Sequence, residues 1–171
     1  AYSKQLVAIA NNEFWYESAA GTMAELAAAN NDINSYHLLT ATTAFQKVFV
    51  ANQSTFRVAD FINSKLTTTD AGANPCTKGM VLTGGTSTAS MIVDFVDAVT
   101  DNESMNAYSY RTGTETFSSG EVVTGSNSSD DTVSFTTSGA EVAAPHWYAW
   151  TPFGGDTTTY GTMPDSAYLV T

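Results

Sequence analysis

Short runs of β-forming residues, divided by turn-forming residues, constrain the fold of this chain more than any other feature. The first run spans residues 5–10 and ends at Asn11 and Asn12, and the aromatic run 14–17 follows directly. Two β-prone runs on either side of an Asn-rich turn predict an antiparallel hairpin. We therefore expect a fold that is mainly β and is built from short antiparallel hairpins.

The next segment, residues 22–30, carries two conflicting signals. A helix is favoured by its composition, because Thr22 and Glu25 have the spacing of a capping box and Asn30 would end the helix. A further strand is favoured by its position directly after Gly21. Both interpretations stay open from the sequence.

Two more hairpins are predicted further along the chain. One joins the runs 47–52 and 55–60, and the other joins the runs 80–83 and 91–96 across the turn at Gly84–Gly85. Both have β-branched or aromatic residues on either side of a short polar or glycine turn, which is the typical pattern of a hairpin.

The first two hairpins resemble each other, which suggests a repeat. Residues 7–11 align with 49–52, and residues 23–26 align with 63–66. The offset is roughly 41 residues, the period of four-stranded propeller blades, and it would make 23–28 an outer strand. The alternative is that two unrelated hairpins share common turn residues.

The composition changes over residues 99–144, which are rich in Thr, Ser, Gly and Asp. Short alternating stretches at 107–111, 121–124 and 132–136 predict exposed strands joined by Gly/Ser turns. A linker is the alternative interpretation for residues 126–131.

These patterns predict three regions. Residues 1–98 would form hairpin or blade-like β units, and residues 99–144 a Thr/Ser-rich β insertion. Residues 145–171 would form an aromatic segment and a terminal strand that return to the first β region.

The last region is the best candidate for an interface. Its dense aromatic run predicts packing in a core or at a contact with another molecule. Its apolar end predicts a strand that pairs within a sheet or with a neighbouring subunit, or that continues in a longer protein. The candidate interface residues are Trp147, Tyr148, Trp150, Tyr168, Leu169 and Val170.

Charge and hydropathy narrow the classes of partner. The chain has 17 Asp and Glu against six Lys and Arg, a net charge of −11. Specific nucleic-acid binding is not expected, because phosphate contacts need clustered Lys and Arg. No apolar run has the length of a membrane-spanning helix, and the first residues lack the pattern of a signal peptide, so membrane insertion is not expected either.

The residues that usually carry chemistry are sparse. His37 and His146 are the two histidines, and Cys76 is the single cysteine, so paired-Cys motifs and an intramolecular disulfide are excluded. We expect His37 in a loop or at a strand edge, His146 in an aromatic pocket, and Cys76 as an inert loop or partly buried thiol. No serine nucleophile motif occurs, and residues 83–86 fit a hairpin turn better than a phosphate loop. The sequence therefore predicts no enzyme, no cofactor and no metal.

Acidic side chains leave two alternatives open. Calcium is one, because clustered carboxylates can hold it, although the spacing of a calcium loop is absent and a solvated surface is favoured. The clustered residues are Asp94, Asp97, Asp101, Glu103, Asp130 and Asp131. The second alternative is a glycan-binding or glycan-cleaving module that uses Trp147 with carboxylates such as Asp94 and Asp165.

Three stretches together carry a family resemblance. They are residues 4–17 followed by 21–26, the hairpin 46–61, and the motif 145–148 followed by residues 161–164. They resemble the N-terminal part of a family of tailed-bacteriophage virion structural proteins that are longer than this chain. The family is similar to β-propeller tail components such as the nozzle proteins of short-tailed phages.

The resemblance implies a non-enzymatic virion component associated with the tail or neck. Such a protein would be made in the host cytoplasm and would assemble in the virion with itself, as a ring or another homo-oligomer, and with other virion proteins. Its acidic balance would suit a part that lets DNA pass without binding it. A capsid decoration protein and a filament subunit that donates its terminal strand are the alternatives within the structural class.

Overall fold

The computed structural model describes residues 5–26, 33–52, 55–68, 76–97, 105–126 and 132–149. These residues form thirteen β-strands and no helix, which confirms the prediction of a mainly β fold. The strands are β1 (Val7–Ala10), β2 (Glu13–Ala19), β3 (Thr22–Glu25), β4 (Thr40–Ala44), β5 (Lys47–Ala51), β6 (Phe56–Asp60), β7 (Ser64–Thr67), β8 (Val81–Gly84), β9 (Ser90–Asp97), β10 (Asn106–Arg111), β11 (Val122–Ser126), β12 (Thr132–Thr136) and β13 (His146–Ala149). All pairings between these strands are antiparallel.

The described residues divide into two compact units. Unit 1 contains the described residues up to Phe61 together with those from Pro145 onward, and so holds β1–β6 and β13. Unit 2 runs from Ile62 to Ala144 and holds β7–β12. Unit 1 is therefore built from two separate stretches of chain, and unit 2 is inserted between them.

Unit 1 contains two sheets, with the strand orders β1-β2-β3 and β13-β6-β5-β4. The predicted first hairpin is confirmed: β1 pairs with β2 across Asn11 and Asn12, whose φ angles are 55° and 64°. Asn adopts this left-handed conformation more readily than other non-glycine residues, which explains the turn. The second predicted hairpin, β5 with β6, is also present.

The ambiguous segment after Gly21 is a strand as far as the structure describes it. β3 pairs with β2, and the amide of Leu26 donates a 2.8 Å hydrogen bond to the carbonyl of Phe14. Leu26 is buried there. Sheet pairing and this burial outweigh the intrinsic helix propensity of the segment. Residues 27–30 lie outside the described residues.

The hairpin of β4 and β5 was not predicted from the sequence. Its two-residue turn is formed by Phe45 and Gln46, with φ angles of 52° and 60°. Positive φ at both positions is the type I′ geometry, which Asn-Gly adopts without strain and a bulky residue does not. The turn signal that sequence analysis relies on is therefore missing.

The core of unit 1 is formed by side chains from both of its sheets. The ring centroids of Phe14 in β2 and Trp147 in β13 lie 4.9 Å apart with an interplanar angle of 31°. Burying each such side chain contributes about 1.5–3 kcal/mol. The buried apolar cluster consists of Phe14, Leu26, Ile33, Val48, Val50, Ala59 and Trp147.

Unit 2 contains one six-stranded sheet with the order β12-β11-β8-β9-β10-β7. The predicted hairpin of β8 and β9 is confirmed, and the predicted strands near 107–111, 121–124 and 132–136 are β10, β11 and β12. These three strands share their sheet with β7, β8 and β9, whose residues precede position 98.

Gly125 occupies a crowded position in the middle of this sheet. It lies directly opposite Leu82 in β8 and Val133 in β12. A Cβ atom added at Gly125 would lie 2.6 Å from Leu82 Cδ2 and 2.8 Å from Val133 Cγ1. The side chains of Leu82 and Val133 thus occupy the space that a side chain at Gly125 would need.

The two ends of unit 2 are joined by hydrogen bonds. The amide of Lys65 donates to the carbonyl of Val142 at 2.8 Å, and the amide of Val142 donates to the carbonyl of Lys65 at 3.0 Å. The amide of Ser138 also donates to the carbonyl of Thr67 at 2.8 Å. We call this set of contacts the clasp of unit 2.

The two copies of the suggested repeat differ in the strand pairing of their aligned segments. β3 pairs with β2, whereas β7, aligned with it in the sequence, pairs with β10 rather than with β6. The blade-like repeat of roughly 41 residues therefore stays a prediction.

Candidate functional site

Three neighbouring strands of unit 1 bring three ionisable side chains into one row. The register pairs Lys47 in β5 with Asp60 in β6, and Asp60 with His146 in β13. Their exposed fractions are 8%, 0% and 8%. Directly opposed residues share a face of the sheet, so these side chains are adjacent. We call them, together with Tyr148, the Asp60 cluster.

Asp60 is the centre of the cluster. Lys47 Nζ lies 3.3 Å from Asp60 Oδ2, and the Tyr148 hydroxyl donates a 2.8 Å hydrogen bond to the same oxygen. A carboxylate removed from water needs both an opposite charge and hydrogen bonds. The cluster supplies both, and it connects β5, β6 and β13 through side chains as well as through their backbones.

The aromatic residues of β13 divide between the two faces of their sheet. Trp147 pairs in register with Ala59 and packs in the apolar core. Tyr148 is buried on the other face, with its hydroxyl on Asp60. Trp147 is thus a core residue and does not present its ring at the surface of the unit.

Of the six candidate interface residues, the structure describes two, Trp147 and Tyr148. Their role in a contact with another molecule stays a prediction. The other candidate interface residues, which lie outside the described residues, are Trp150, Tyr168, Leu169 and Val170.

Sequence analysis singled out His146 but missed Lys47 and Asp60. His146 is buried, as an aromatic pocket would require, and it lies beside a carboxylate. Asp60 and Tyr148 are 88 residues apart in the chain. No local pattern connects residues at such a separation, and the only available signal was a charged residue at one end of each of the runs 47–52 and 55–60.

Glu121 forms a second buried polar centre, in unit 2. Its Oε2 accepts hydrogen bonds from the amides of Thr86 and Ser87 at 3.3 and 3.0 Å. Its Oε1 accepts from the Ser87 hydroxyl at 2.9 Å and from the Ser118 amide at 2.6 Å. Burial raises the pKa of Glu121, but the hydrogen bonds from Ser87, Ser118 and Thr86 prevail and hold the pKa below its ordinary value. The carboxylate thereby fixes the turn between β8 and β9.

Glu141 acts in a similar way elsewhere in unit 2. Its Oε1 accepts hydrogen bonds from Nε and a terminal nitrogen of Arg111, and its Oε2 accepts one of 3.2 Å from the amide of Phe117. The side chain of Glu141 is 1% exposed, and that of Arg111 is 31% exposed. This ion pair holds the loop that follows β10.

Other residues singled out for chemistry also lie within the described residues, among them Cys76, Asp94 and His37. Burial raises the pKa of the Cys76 thiol to about 12, so it is not a thiolate at neutral pH. Asp94 accepts hydrogen bonds from Asn63 Nδ2 at 2.9 Å and from Lys78 Nζ at 3.0 Å. His37 is an exposed loop residue. Five of the carboxylates singled out from the sequence lie outside the described residues: Asp101, Glu103, Asp130, Asp131 and Asp165.

Over the described part of the chain, no three His, Cys, Asp or Glu side chains come together as a metal site requires. The described residues also include no helix of the length and apolar character needed to cross a bilayer.

Comparison of the chain with protein-family models, with curated proteins and with solved structures finds no match.

Proposed function

We propose that this chain is a non-enzymatic structural component of a bacteriophage virion, associated with the tail or neck, that assembles with itself and with other virion proteins. The observation that carries the proposal is the use made of its buried ionisable groups. Asp60, Glu121 and Glu141 each bind groups from other strands or loops. These residues stabilise sheets, which is what a building block of a particle needs.

The charge of the chain supports the same proposal. A net charge of −11 is carried with few basic residues. A surface of this sign repels nucleic acid at short range, which suits a particle component past which DNA moves. The sequence resemblance of residues 4–17, 21–26 and 46–61 to tail proteins is the reason for proposing the tail or neck in particular.

The test is to locate the protein in purified particles from its natural source. An antibody against the chain would be used to label particles recovered from a density gradient, and native mass spectrometry would measure the subunit mass and copy number. We expect label on the tail or neck and a multiple of one subunit mass. Protein found only outside the particles, as a monomer, would contradict the proposal and favour a soluble binding module.

A particle label spread over the whole capsid would give a different answer. It would retain the structural class and replace the tail assignment with a decoration role. A matched label against a known capsid protein of the same particles is the control for accessibility.

A further inference from the structure

The outer strand β4 of unit 1 has an open edge without the usual protection. Among the described strands its one neighbour is β5, and Ala41, Thr42 and Thr43 are exposed. Its sequence, Thr-Ala-Thr-Thr-Ala, has no charged residue and no Pro, and its register with β5 is regular. Natural sheets usually protect such an edge with Lys, Pro or a bulge, because an unprotected strand pairs with other chains.

Large apolar side chains stand at both ends of this strand. Tyr36 and Leu38, before β4, are each 90% exposed, and Phe45, after it, is 87% exposed. Phe45 also holds the left-handed conformation of the turn, which is unfavourable for a bulky side chain. A strained, exposed aromatic residue beside an open edge is typical of a contact site.

The charge distribution favours a second copy of the chain as the partner. Residues 33–46 contain no Asp, Glu, Lys or Arg, although the chain has 17 acidic residues and a net charge of −11. Two copies of an acidic chain repel each other where charged surfaces meet, and this uncharged segment lets them meet without that penalty.

We propose that two copies of this chain associate through β4, with the two strands antiparallel and a twofold axis at Thr42. This proposal rests on the self-assembly part of the proposed function and names the contact. It places Thr42 opposite Thr42 of the second copy and Ala41 opposite Thr43. A contact of this kind is isologous, so it closes in a dimer.

The hydrogen-bonding groups of β4 fit this register. A two-residue turn closes on a hydrogen-bonded pair, here Ala44 and Lys47, so Thr42 and Thr40 also bond to β5. The amides and carbonyls of Ala41 and Thr43 then point to the open side. In the dimer they bond to each other, and the Thr42 side chains form a close cross-strand pair.

The same axis explains the exposed apolar residues. Counting outward from Thr42 places Phe45 of one copy across from Leu39 of the other, next to Leu38. The contact thereby brings the exposed Phe45 of one copy to the segment of the other copy that holds the exposed Leu38. An aromatic anchor at each end of a short strand pair is the arrangement expected of binding hot spots.

The test compares the 171-residue chain with Thr43→Pro and Thr43→Val by sedimentation equilibrium. Pro at position 43 removes the amide that points to the open side and retains the hydrogen bonds between β4 and β5, a change that edge strands tolerate. Val at the same position retains the amide and is the matched control. We expect dimers for the unchanged chain and for Thr43→Val at concentrations up to about 100 µM. Thr43→Pro should be a monomer with an unchanged circular-dichroism spectrum and a cooperative unfolding transition.

Phe45→Asn gives an independent measurement. It removes the aromatic ring and suits the turn conformation better, so it should weaken the dimer at least about tenfold without unfolding the chain. A monomeric unchanged chain at this concentration, or a Thr43→Pro chain that still forms dimers, would refute the β4 contact. If the chain forms the β4 dimer but is absent from purified particles, the virion proposal is refuted and the β4 contact stands. If the chain is found in particles but Thr43→Pro still forms dimers, the β4 contact is refuted and the virion proposal stands.

Discussion

Removing the charge of Asp60 should destabilise unit 1 strongly. In Asp60→Asn the amide oxygen still accepts from the Tyr148 hydroxyl. The ammonium of Lys47, whose side chain is 10% exposed, loses the negative charge that lies 3.3 Å away. Breaking a buried ion pair by removing one partner costs about 3–5 kcal/mol. A whole domain is stabilised by only about 5–15 kcal/mol, so the effect is a large fraction of the total.

The paired substitution separates the ion pair from the loss of each side chain. Lys47→Met should also destabilise the chain, because it removes a positive charge that lies 3.3 Å from the buried carboxylate of Asp60. In the double variant neither charge remains, so it should be more stable than the sum of the single effects by about 1–3 kcal/mol.

The assay is urea unfolding followed by tryptophan fluorescence and by circular dichroism. Residues 62–144 contain no Trp, so the fluorescence reports on the rest of the chain, where Trp15 and Trp147 belong to unit 1. Lys78→Met is the matched control, because the Lys78–Asp94 ion pair is far more exposed. This substitution should change the free energy of unfolding, measured by circular dichroism, by less than about 1 kcal/mol. Strictly additive effects of the two Asp60-cluster variants, or an Asp60→Asn chain as stable as the original, would refute the assigned role.

Three further predictions concern unit 2. The folded-state pKa of Glu121 is depressed, so its ionised side chain stabilises the folded chain above its ordinary pKa of 4.5, and this stabilisation is lost as the pH falls below that value. Glu121→Gln should therefore make the free energy of unfolding fall less steeply with decreasing pH on the acid side. An unchanged acid-side slope would contradict this. Gly125→Ala should lower the free energy of unfolding by about 1–3 kcal/mol in urea titrations, since its methyl group meets Leu82 and Val133, whereas equal stability would mean that they move aside freely. Ser109 Oγ is buried and has no hydrogen-bond partner within the described part of the chain, so Ser109→Ala should leave the melting temperature equal or raise it, and a clear fall would reveal a missed partner.

Local chemistry in the sequence was sufficient to predict the hairpins. Asn11 and Asn12 favour a left-handed turn, and Gly84–Gly85 interrupts two apolar runs, so both hairpins could be located from neighbouring residues alone. The turn at Phe45 and Gln46 lacks any such residue, and β4 was missed for that reason. Its conformation is imposed by the pairing of β4 with β5, a cost that only the folded sheet compensates.

The candidate site was much less predictable than the strands. Asp60 gains its environment from β5 and from β13, which follows it after more than eighty residues. Glu121 likewise meets Ser87 across 34 positions of the chain. Carboxylates of this kind have the same sequence appearance as solvated ones, because burial and partners are set by tertiary pairing.

The clasp of unit 2 has a consequence for the order in which the chain folds. Joining β13 to β6 closes a loop in which Asp60 and Tyr148 are separated by 88 positions, and the logarithmic loop-closure cost is about 4 kcal/mol. If unit 2 is already folded, the bonds between Lys65 and Val142 bring its two ends together, and the loop left to close is only about ten residues, at about 2 kcal/mol. The difference is roughly a thirtyfold gain in the chance of closure. During synthesis the inserted unit should therefore fold before β13 docks, so the Asp60 cluster would be completed last.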